Sequence, residues 1–194
     1  MREFIYYSKS AVTSGALIKE DLMAAGRMDI AINVIISCFF LSHDMRKDTK
    51  LHLVFEGKPN PPVHIIIEYD EKLPLSKKDV AGLIKRILFK CPKEKGKTVS
   101  AFSGVSVEKK SLNELIEELD SQGKNIFLLD KKGQDIREIQ FKGNEVFLIG
   151  DQEGFPYEKR HLLKRIDKIS VSPKTLFASH VFVLIHNELD RQGV

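Results

Sequence analysis

Short apolar runs alternate with amphipathic segments along the whole sequence, and this alternation most constrains the fold. Apolar runs of strand length predict β-strands at residues 2–7, 51–55, 63–69, 102–107, 126–129, 146–149 and 166–171. Apolar residues at helical spacing predict helices at residues 19–25, 29–41, 77–90, 112–119, 156–165 and 174–191. Strands that alternate with helices are typical of α/β folds with a parallel sheet. We therefore predict one α/β domain with a mainly parallel sheet over residues 1–194.

Several predicted helices carry end signals. Asp29 stands at the N-cap position of the helix 29–41, and Ser76 stands directly before the helix 77–90. Ser111 and Glu114 fit a capping box, and Gly123 is placed to end that helix. In the last helix we expect His180 to be structural and four apolar residues to face the core: Phe177, Val181, Leu184 and Ile185.

Composition excludes several classes of protein. Of 194 residues, 42% are hydrophobic and 30% are charged, with a net charge of +4, which is too apolar for a disordered chain. The two cysteines, Cys38 and Cys91, form no CxxC motif, so we expect neither a disulfide scaffold nor a metal site. The longest apolar run, 30–41, is too short to cross a bilayer, and no signal-peptide pattern opens the chain. We therefore predict a soluble, cytoplasmic protein without a membrane partner.

The common phosphate-binding and nucleophile motifs are absent. Gly96-Lys97-Thr98 resembles the end of a phosphate-binding loop, but Cys91 stands where that loop requires its first glycine, and a predicted helix precedes it. The sequence contains no GxGxxG and no GxSxG. A dinucleotide site and a serine hydrolase are therefore both disfavoured.

Three predicted strands in the C-terminal third each run into a loop suited to a ligand. These loops are residues 130–133, 150–156 and 172–177. Ligands of open α/β sheets bind at the carboxyl ends of strands, so we expect the three loops to form one crevice. Gly150 and Gly154 would let the backbone approach a planar ligand closely. The alternative is that these glycines only form turns.

The order of these motifs resembles a known enzyme class. Gly-Asp-x-x-Gly-Phe at 150–155, Ile-Ser-x-Ser-Pro at 169–173 and Leu-x-Ala-Ser at 176–179 are similar to the SPOUT class of S-adenosylmethionine methyltransferases. The resemblance implies a deep trefoil knot over roughly residues 125–191 and a homodimer, with Phe177 and Phe182 of the last helix as interface candidates. It also implies S-adenosylmethionine as cofactor, held mainly through backbone by Leu128, Leu129, Gly150, Asp151, Gly154, Val171, Ser172, Pro173, Thr175, Leu176 and Phe177.

The N-terminal half narrows the resemblance. Gly26-Arg27-Met28-Asp29 and Ser42-His43-Asp44-Met45-Arg46 resemble the archaeal tRNA pseudouridine-54 N1-methyltransferase family. This resemblance implies methyl transfer to N1 of pseudouridine 54 in the T-arm of tRNA. Two alternatives stay open: an enzyme that acts on pseudouridine of small-subunit ribosomal RNA, and a non-catalytic RNA-binding or ribosome assembly factor.

Four residues are candidates for contact with the RNA substrate. Asp29 is the candidate catalytic group that touches the base, and Arg27 is the candidate that stabilises a developing uracil anion or binds a phosphate. The alternative for Asp29 is that it only caps its helix. His43 and Arg46 are candidates for phosphate contact, and the alternative for Arg46 is an ordinary solvated helix end. The basic segments 77–90 and 159–168 either contribute to RNA binding or are solvated faces.

Overall fold

The computed structural model describes the backbone of residues 1–194 and every side chain except that of Arg160. The strands are β1 (Arg2–Ser8), β2 (Thr49–Phe55), β3 (Val63–Glu68), β4 (Thr98–Phe102), β5 (Val105–Glu108), β6 (Asn125–Asp135), β7 (Glu145–Gly150) and β8 (Asp167–Ser170). The helices are α1 (Met28–Phe39), α2 (Val80–Phe89), α3 (Leu112–Ser121), α4 (Arg160–Leu163) and α5 (Ala178–Gln192). Short 3-10 turns lie at Gly15–Leu17, Ile136–Glu138 and Tyr157–Lys159.

The strands form one eight-stranded sheet in the order β4-β5-β3-β2-β1-β7-β6-β8. Along the sheet, the neighbouring strands β2, β1, β7, β6 and β8 are all parallel. The pairs β2–β3, β3–β5 and β4–β5 are antiparallel. Parallel neighbours need a crossover between them; α1 lies between β1 and β2, whereas only a short 3-10 turn lies between β6 and β7. The predicted α/β class with a mostly parallel sheet is thus confirmed, with an antiparallel extension at one edge.

The core lies on both faces of the central strand β1, which is buried along its whole length. Phe4 and Tyr6 point towards α1 and α5, while Ile5 and Tyr7 pack in the cluster that includes α3 and Leu163. Successive side chains of a strand point to opposite faces, so a strand covered on both sides carries few exposed residues. Burying one such large apolar side chain stabilises the fold by about 1.5–3 kcal/mol.

A chain of buried polar side chains crosses β1, β2, β3 and β5. His52 Nε2 lies 2.9 Å from Glu3 Oε1, His52 Nδ1 lies 2.8 Å from His64 Nε2, and His64 Nδ1 lies 2.9 Å from Glu108 Oε1. Burial lowers the pKa of His64 to about 4. Although burial opposes it, hydrogen bonding and charge from His52 and Lys124 leave the pKa of Glu3 at about 2. This network therefore contributes to stability in a pH-dependent way.

The end signals of α3 are confirmed. The Glu114 backbone N–H donates to Ser111 Oγ, and the Glu114 carboxylate accepts from the Ser111 backbone N–H, which completes the capping box. Gly123 follows with a φ of +73°, a left-handed conformation that glycine adopts without steric cost.

The N-terminal helix predictions need correction. Residues 19–25 form turns and extended chain instead of a helix. Helix α1 begins at Met28 with Arg27 as the N-cap residue, in the left-handed conformation at φ 61°. Asp29 therefore lies in the first turn and does not cap the helix. Gly26, at a φ of +69°, turns the chain just before the helix, and an added Cβ there would lie 1.8 Å from the Ser10 carbonyl oxygen.

Two elements in the middle of the chain also differ from the prediction. Helix α2 begins at Val80, because Ser76 closes a turn by accepting from the Asp79 backbone N–H. The single strand expected at 102–107 is the hairpin β4–β5, since Gly104 turns the chain at a φ of +69°.

In the C-terminal third, β6 continues to Asp135, past its expected end, and α4 ends at Leu163. Helix α5 begins at Ala178, four residues later than expected. Phe177 is 71% exposed and Leu184 is 39% exposed, which corrects their predicted core positions. The buried face of α5 is instead made by Phe182, Ile185, His186 and Leu189.

Candidate functional site

A crevice of about 680 Å³ lies where the carboxyl ends of β7, β6 and β8 meet. The strand order makes these three strands direct neighbours, so their following segments converge as predicted. The walls are Leu129–Lys131, Ile149–Gln152 with Gly154 and Phe155, and most of Ile169–Val181, closed on one side by Ile30 of α1.

The first wall is a bulge within β6. Leu129 and Gln134 both pair with Ile169 of β8, so the residues between them leave the ladder, and Asp130 and Lys131 line the crevice. Gly133 is required at the base of this bulge, because an added Cβ would lie 2.5 Å from the Ile169 backbone nitrogen. Lys168 Nζ donates to Asp130 Oδ2 at 2.9 Å and ties the bulge to β8.

The second wall follows β7 and contains both glycines of the Gly-Asp-x-x-Gly-Phe motif. Gly154 has a φ of +67° and forms a turn. Gly150 has an ordinary φ, but an added Cβ would lie 3.0 Å from the Phe155 ring. The Phe155 ring stacks on Tyr7, with centroids 5.3 Å apart. Gly154 thus forms a turn, and Gly150 leaves room for the Phe155 ring; the close approach of either backbone to a ligand stays a prediction.

Asp151 anchors this wall to the end of β1. Its carboxylate accepts hydrogen bonds from Ser8 Oγ at 2.7 Å, from the Lys9 backbone N–H at 3.1 Å and from the Glu153 backbone N–H at 2.9 Å. Burial raises the pKa of Asp151 even though these donors oppose the shift.

The third wall runs from β8 into α5. The Lys174 backbone N–H donates to Ser172 Oγ at 3.1 Å, which shapes the loop before the helix. The Phe177 ring and the His180 ring meet edge to face, with centroids 5.5 Å apart, at the exposed rim. His180 is exposed and borders the crevice, which corrects its predicted structural role.

Most of the residues predicted to hold a cofactor line this crevice. Leu128 does not, because its side chain packs in the cluster on the opposite face of the sheet. Pro173 is exposed and lies outside the crevice lining. Sequence reasoning missed several wall residues, among them Ile30, Ile149, Phe155 and Ile169. Each is an apolar residue in or beside a regular element, where sequence alone does not distinguish a cavity wall from ordinary core.

Arg27 and Asp29 form a two-point ion pair directly beside the crevice residue Ile30. Arg27 Nε and Nη2 donate to the two Asp29 carboxylate oxygens, each at 3.0 Å. Hydrogen bonds from Arg27 lower the pKa of Asp29. The fully buried Tyr6 lies close enough that Asp151, Asp29 and Arg27 all act on its phenol, whose pKa is raised mainly by burial.

The other two RNA candidates lie at the far end of α1. The helix has 12 residues, and at 1.5 Å per residue it separates its two ends by about 18 Å. His43 is exposed there. Arg46 donates to both Asp190 carboxylate oxygens, at 2.9 and 2.7 Å, so it is held by α5. One copy of the chain does not bring these two residues together with Arg27 and Asp29.

The described part of the chain contains neither a metal-binding cluster nor a membrane-spanning helix. Among its side chains, no group of three or more His, Cys, Asp or Glu is placed to hold a metal ion. Of the helices described, none combines the length and apolarity needed to cross a membrane.

The fold and the crevice together define a class. The volume of the crevice, about 680 Å³, is within the range of about 300–1,000 Å³ typical of small-molecule sites. Its mainly apolar lining with a few polar groups is typical of such sites as well. A nucleoside-sized ligand fits this space, with Gly150 and the loop before α5 at its edges. The chain is thus an α/β protein with a crevice of small-molecule size at the carboxyl ends of its parallel strands.

Comparison with known proteins identifies the family. Residues 1–194 match the family described as "Putative SAM-dependent RNA methyltransferase", and the chain belongs to it. The chain is 37% identical over 202 residues to the tRNA (pseudouridine(54)-N(1))-methyltransferase of Methanococcus aeolicus, which covers 98% of each protein. It is 34% identical over 203 residues to the protein of the same name from Methanocaldococcus jannaschii, which covers 100% of this chain and 98% of the relative.

The fold is also that of a solved structure. Archaeoglobus fulgidus Nep1 bound to S-adenosylhomocysteine matches with a TM-score of 0.68 and 13% sequence identity, over 99% of this chain and 98% of that chain. At this identity the match shows the fold alone.

Proposed function

We propose that this protein transfers a methyl group from S-adenosylmethionine to N1 of pseudouridine 54 in the T-arm of tRNA. The observation that carries the proposal is the Arg27–Asp29 pair beside a nucleoside-sized crevice, in a chain that matches relatives of that name over nearly its whole length. The alternative substrate, small-subunit ribosomal RNA, is not the one named for these relatives. A cytoplasmic location follows from the proposed tRNA substrate.

We further propose that the chain is one SPOUT domain with its cofactor-binding knot over roughly residues 125–191. The resemblance of the C-terminal motifs to the SPOUT class carries this proposal, and the pairing of β6 with both β7 and β8 is compatible with it, because the segment between β7 and β8 has to cross β6. In such a knot, the crevice would lie among the segments that follow β6, β7 and β8. The backbone around Leu129, Gly150 and Thr175 would hold the cofactor, and the apolar side chains of Ile30 and Phe155 would exclude water.

The bound cofactor supplies an electrophilic methyl group, so the protein's task is to bind and orient the base. N1 of pseudouridine carries a hydrogen that must leave as a proton, which water accepts, and the base becomes anionic as it does. The Arg27 guanidinium would stabilise that charge. Asp29, whose pKa is lowered, is a weak proton acceptor, and we assign it to orient Arg27 and the base. The base must leave its stack, which costs a few kcal/mol.

The homodimer remains a proposal, and α5 supports it. Val183 is 51% exposed and Leu184 is 39% exposed on one side of this helix. Exposed apolar patches of this kind mark interaction sites. Phe182 is fully buried, so it cannot form the interface that the sequence suggested. We expect Leu184→Glu to shift the protein to a monomer in analytical ultracentrifugation; an unchanged sedimentation coefficient would exclude this face.

His43 and Arg46 remain candidates for phosphate contact. Arg46 would have to exchange its bonds to Asp190 for bonds to RNA. Because both candidates lie at the far end of α1, a single bound RNA would reach them only by extending along that helix or by spanning a dimer.

The proposed reaction is tested with two T-arm RNAs that differ only in uridine or pseudouridine at the target position. We expect methyl incorporation into the pseudouridine RNA alone, because only the C-glycoside offers N1 for methylation. Equal incorporation into both RNAs would mean that another atom is methylated. RNA and cofactor binding without any transfer would instead favour a non-catalytic RNA-binding factor.

A further inference from the structure

A second pocket, of about 610 Å³, opens beside the crevice at the carboxyl ends of β1 and β2. It is bounded by parts of the segment 9–26, by the segment 56–58 and by the segment 156–158. The two cavities share a wall in two places. Asp151 of the crevice accepts from the Lys9 backbone N–H, and Phe155 of the crevice is followed by Pro156 of the pocket.

Hydrogen bonds hold the pocket walls in place. Thr13 Oγ1 donates to the Gly57 carbonyl at 2.8 Å, and Ser10 Oγ donates to the Gly26 carbonyl at 3.2 Å. The Gly57 backbone N–H donates to the Ala11 carbonyl at 3.1 Å. A preformed pocket loses less entropy when it binds a ligand.

The surface of the pocket combines apolar and cationic groups. Val12, Pro156 and Leu17 contribute apolar surface, and Leu17 is 44% exposed. Lys9 and Lys58 are exposed at the pocket, and neither has a carboxylate partner among the side chains that the structure describes.

One of the two acidic groups that line the pocket, Glu56, is already neutralised. Glu56 accepts from Lys159 Nζ at 2.8 Å and from the Tyr7 hydroxyl at 2.7 Å. Glu158 lies on the opposite wall and is exposed. The two lysines are therefore available to a phosphate.

We propose that this pocket binds a nucleotide of the substrate RNA that neighbours the target base. Its base would lie on Leu17 and Pro156, and its phosphates would contact Lys9 and Lys58. Apolar surface flanked by cations suits a base and its phosphate, and the shared wall is where a strand leaving the crevice passes. This inference rests on the proposed function, because it needs an RNA whose target base enters the first crevice.

The test compares two double variants of equal charge. Lys9→Ala/Lys58→Ala removes the proposed contacts. Lys72→Ala/Lys142→Ala removes two lysines near the opposite edge of the sheet, where β3 ends and β7 begins. With T-arm RNA we expect the first variant to raise Kd and KM about tenfold and to reduce the salt slope of binding by about 1.4, or 0.7 per phosphate contact. The control variant should change Kd and KM by no more than about twofold. Cofactor affinity should stay constant in both double variants.

A third variant tests the pocket itself. Ala24 is exposed and lines the pocket, so Ala24→Phe should fill it without unfolding the protein. We expect a higher KM for RNA with an unchanged Tm and an unchanged salt slope. The inference is overturned if Lys9→Ala/Lys58→Ala binds RNA like its control, or if Ala24→Phe leaves KM unchanged.

The two proposals can fail separately. If the wild-type protein binds the RNA but transfers no methyl group, the proposed reaction fails, and the RNA-binding comparison still decides the pocket. If the wild-type protein methylates the RNA and both double variants bind it equally, the reaction stands and the pocket assignment falls.

Discussion

Replacing Asp29 by Asn tests whether the Arg27–Asp29 pair serves the reaction or only the start of α1. Asn keeps the size of the side chain and removes its charge. The two hydrogen bonds from Arg27, each 3.0 Å long, would then lose their ionic acceptor. Asp29 is not the N-cap residue, so the substitution leaves the cap of α1 unchanged.

The structural cost of Asp29→Asn is small. An acidic residue in the first turn of a helix stabilises it by about 0.3–1 kcal/mol. The ion pair is partly exposed, at 34% for Arg27 and 28% for Asp29, and such pairs add little. Against the total of about 5–15 kcal/mol typical of folded proteins, this loss leaves the protein folded.

The expected functional cost is larger. Misplacement of a group that positions the substrate lowers the rate by about 100-fold. A 100-fold loss corresponds to about 2.7 kcal/mol of activation free energy. This activation free energy exceeds the expected loss of stability. A smaller fraction of folded protein therefore cannot account for the lower rate.

The assay measures single-turnover methyl transfer to pseudouridine T-arm RNA, together with Tm and calorimetric cofactor affinity. Asp79→Asn is the matched control, because Asp79 stands at the start of α2 and pairs with Arg86 at 3.0 Å. We expect Asp29→Asn to lose about 100-fold in rate, and both variants to keep their cofactor affinity. An Asp29→Asn rate within about threefold of the control would refute the assignment and direct attention to His43 and Asp44.

Three further outcomes follow from the structure. Gly150→Val should abolish cofactor binding in calorimetry while the protein stays folded, because the added side chain meets Phe155 at the crevice; unchanged binding would show that the ligand lies elsewhere. Tm should fall as pH drops from 6.5 to about 4, because His64 becomes protonated at a higher pH in the unfolded chain than in the folded protein. Tm should fall again between pH 4.5 and about 2, because Glu3 becomes protonated at a higher pH in the unfolded chain than in the folded protein. A Tm that does not depend on pH over these two ranges would contradict the assignments of His64 and Glu3. Ser111→Ala should cost about 1 kcal/mol of stability in denaturant unfolding, with methyl transfer unaffected, because it removes only a cap.

Features that depend on neighbouring residues could be predicted from the sequence. The capping box of Ser111 and the end of α3 at Gly123 involve residues a few positions apart, and both predictions are confirmed. The alternation of strands and helices identified the α/β class, because the periodicity of each element shows in its own residues. The family resemblance is confirmed in the same way, since it depends on short motifs.

Features that depend on distant segments needed the folded chain. The β6 bulge exists because Leu129 and Gln134 both pair with Ile169, a residue far along the chain. The sequence predicted a loop at residues 130–133 but not the return of the chain to the ladder with β8. Arg27 adopts a left-handed conformation that a non-glycine residue rarely takes, so the N-cap was assigned to Asp29 instead.

The candidate site shows the same division. The sequence predicted that the loops after β6, β7 and β8 would converge, and adjacent strand order brings them together at one crevice as expected. Whether a given apolar residue faces the crevice or the core was not recognisable, because both positions favour the same side chains. Leu128 and Leu129 are neighbours in sequence, yet they point to opposite faces of the sheet, and only Leu129 lines the crevice. Hydrophobic patterning thus identifies which residues avoid water, while strand pairing determines which surface each of them meets.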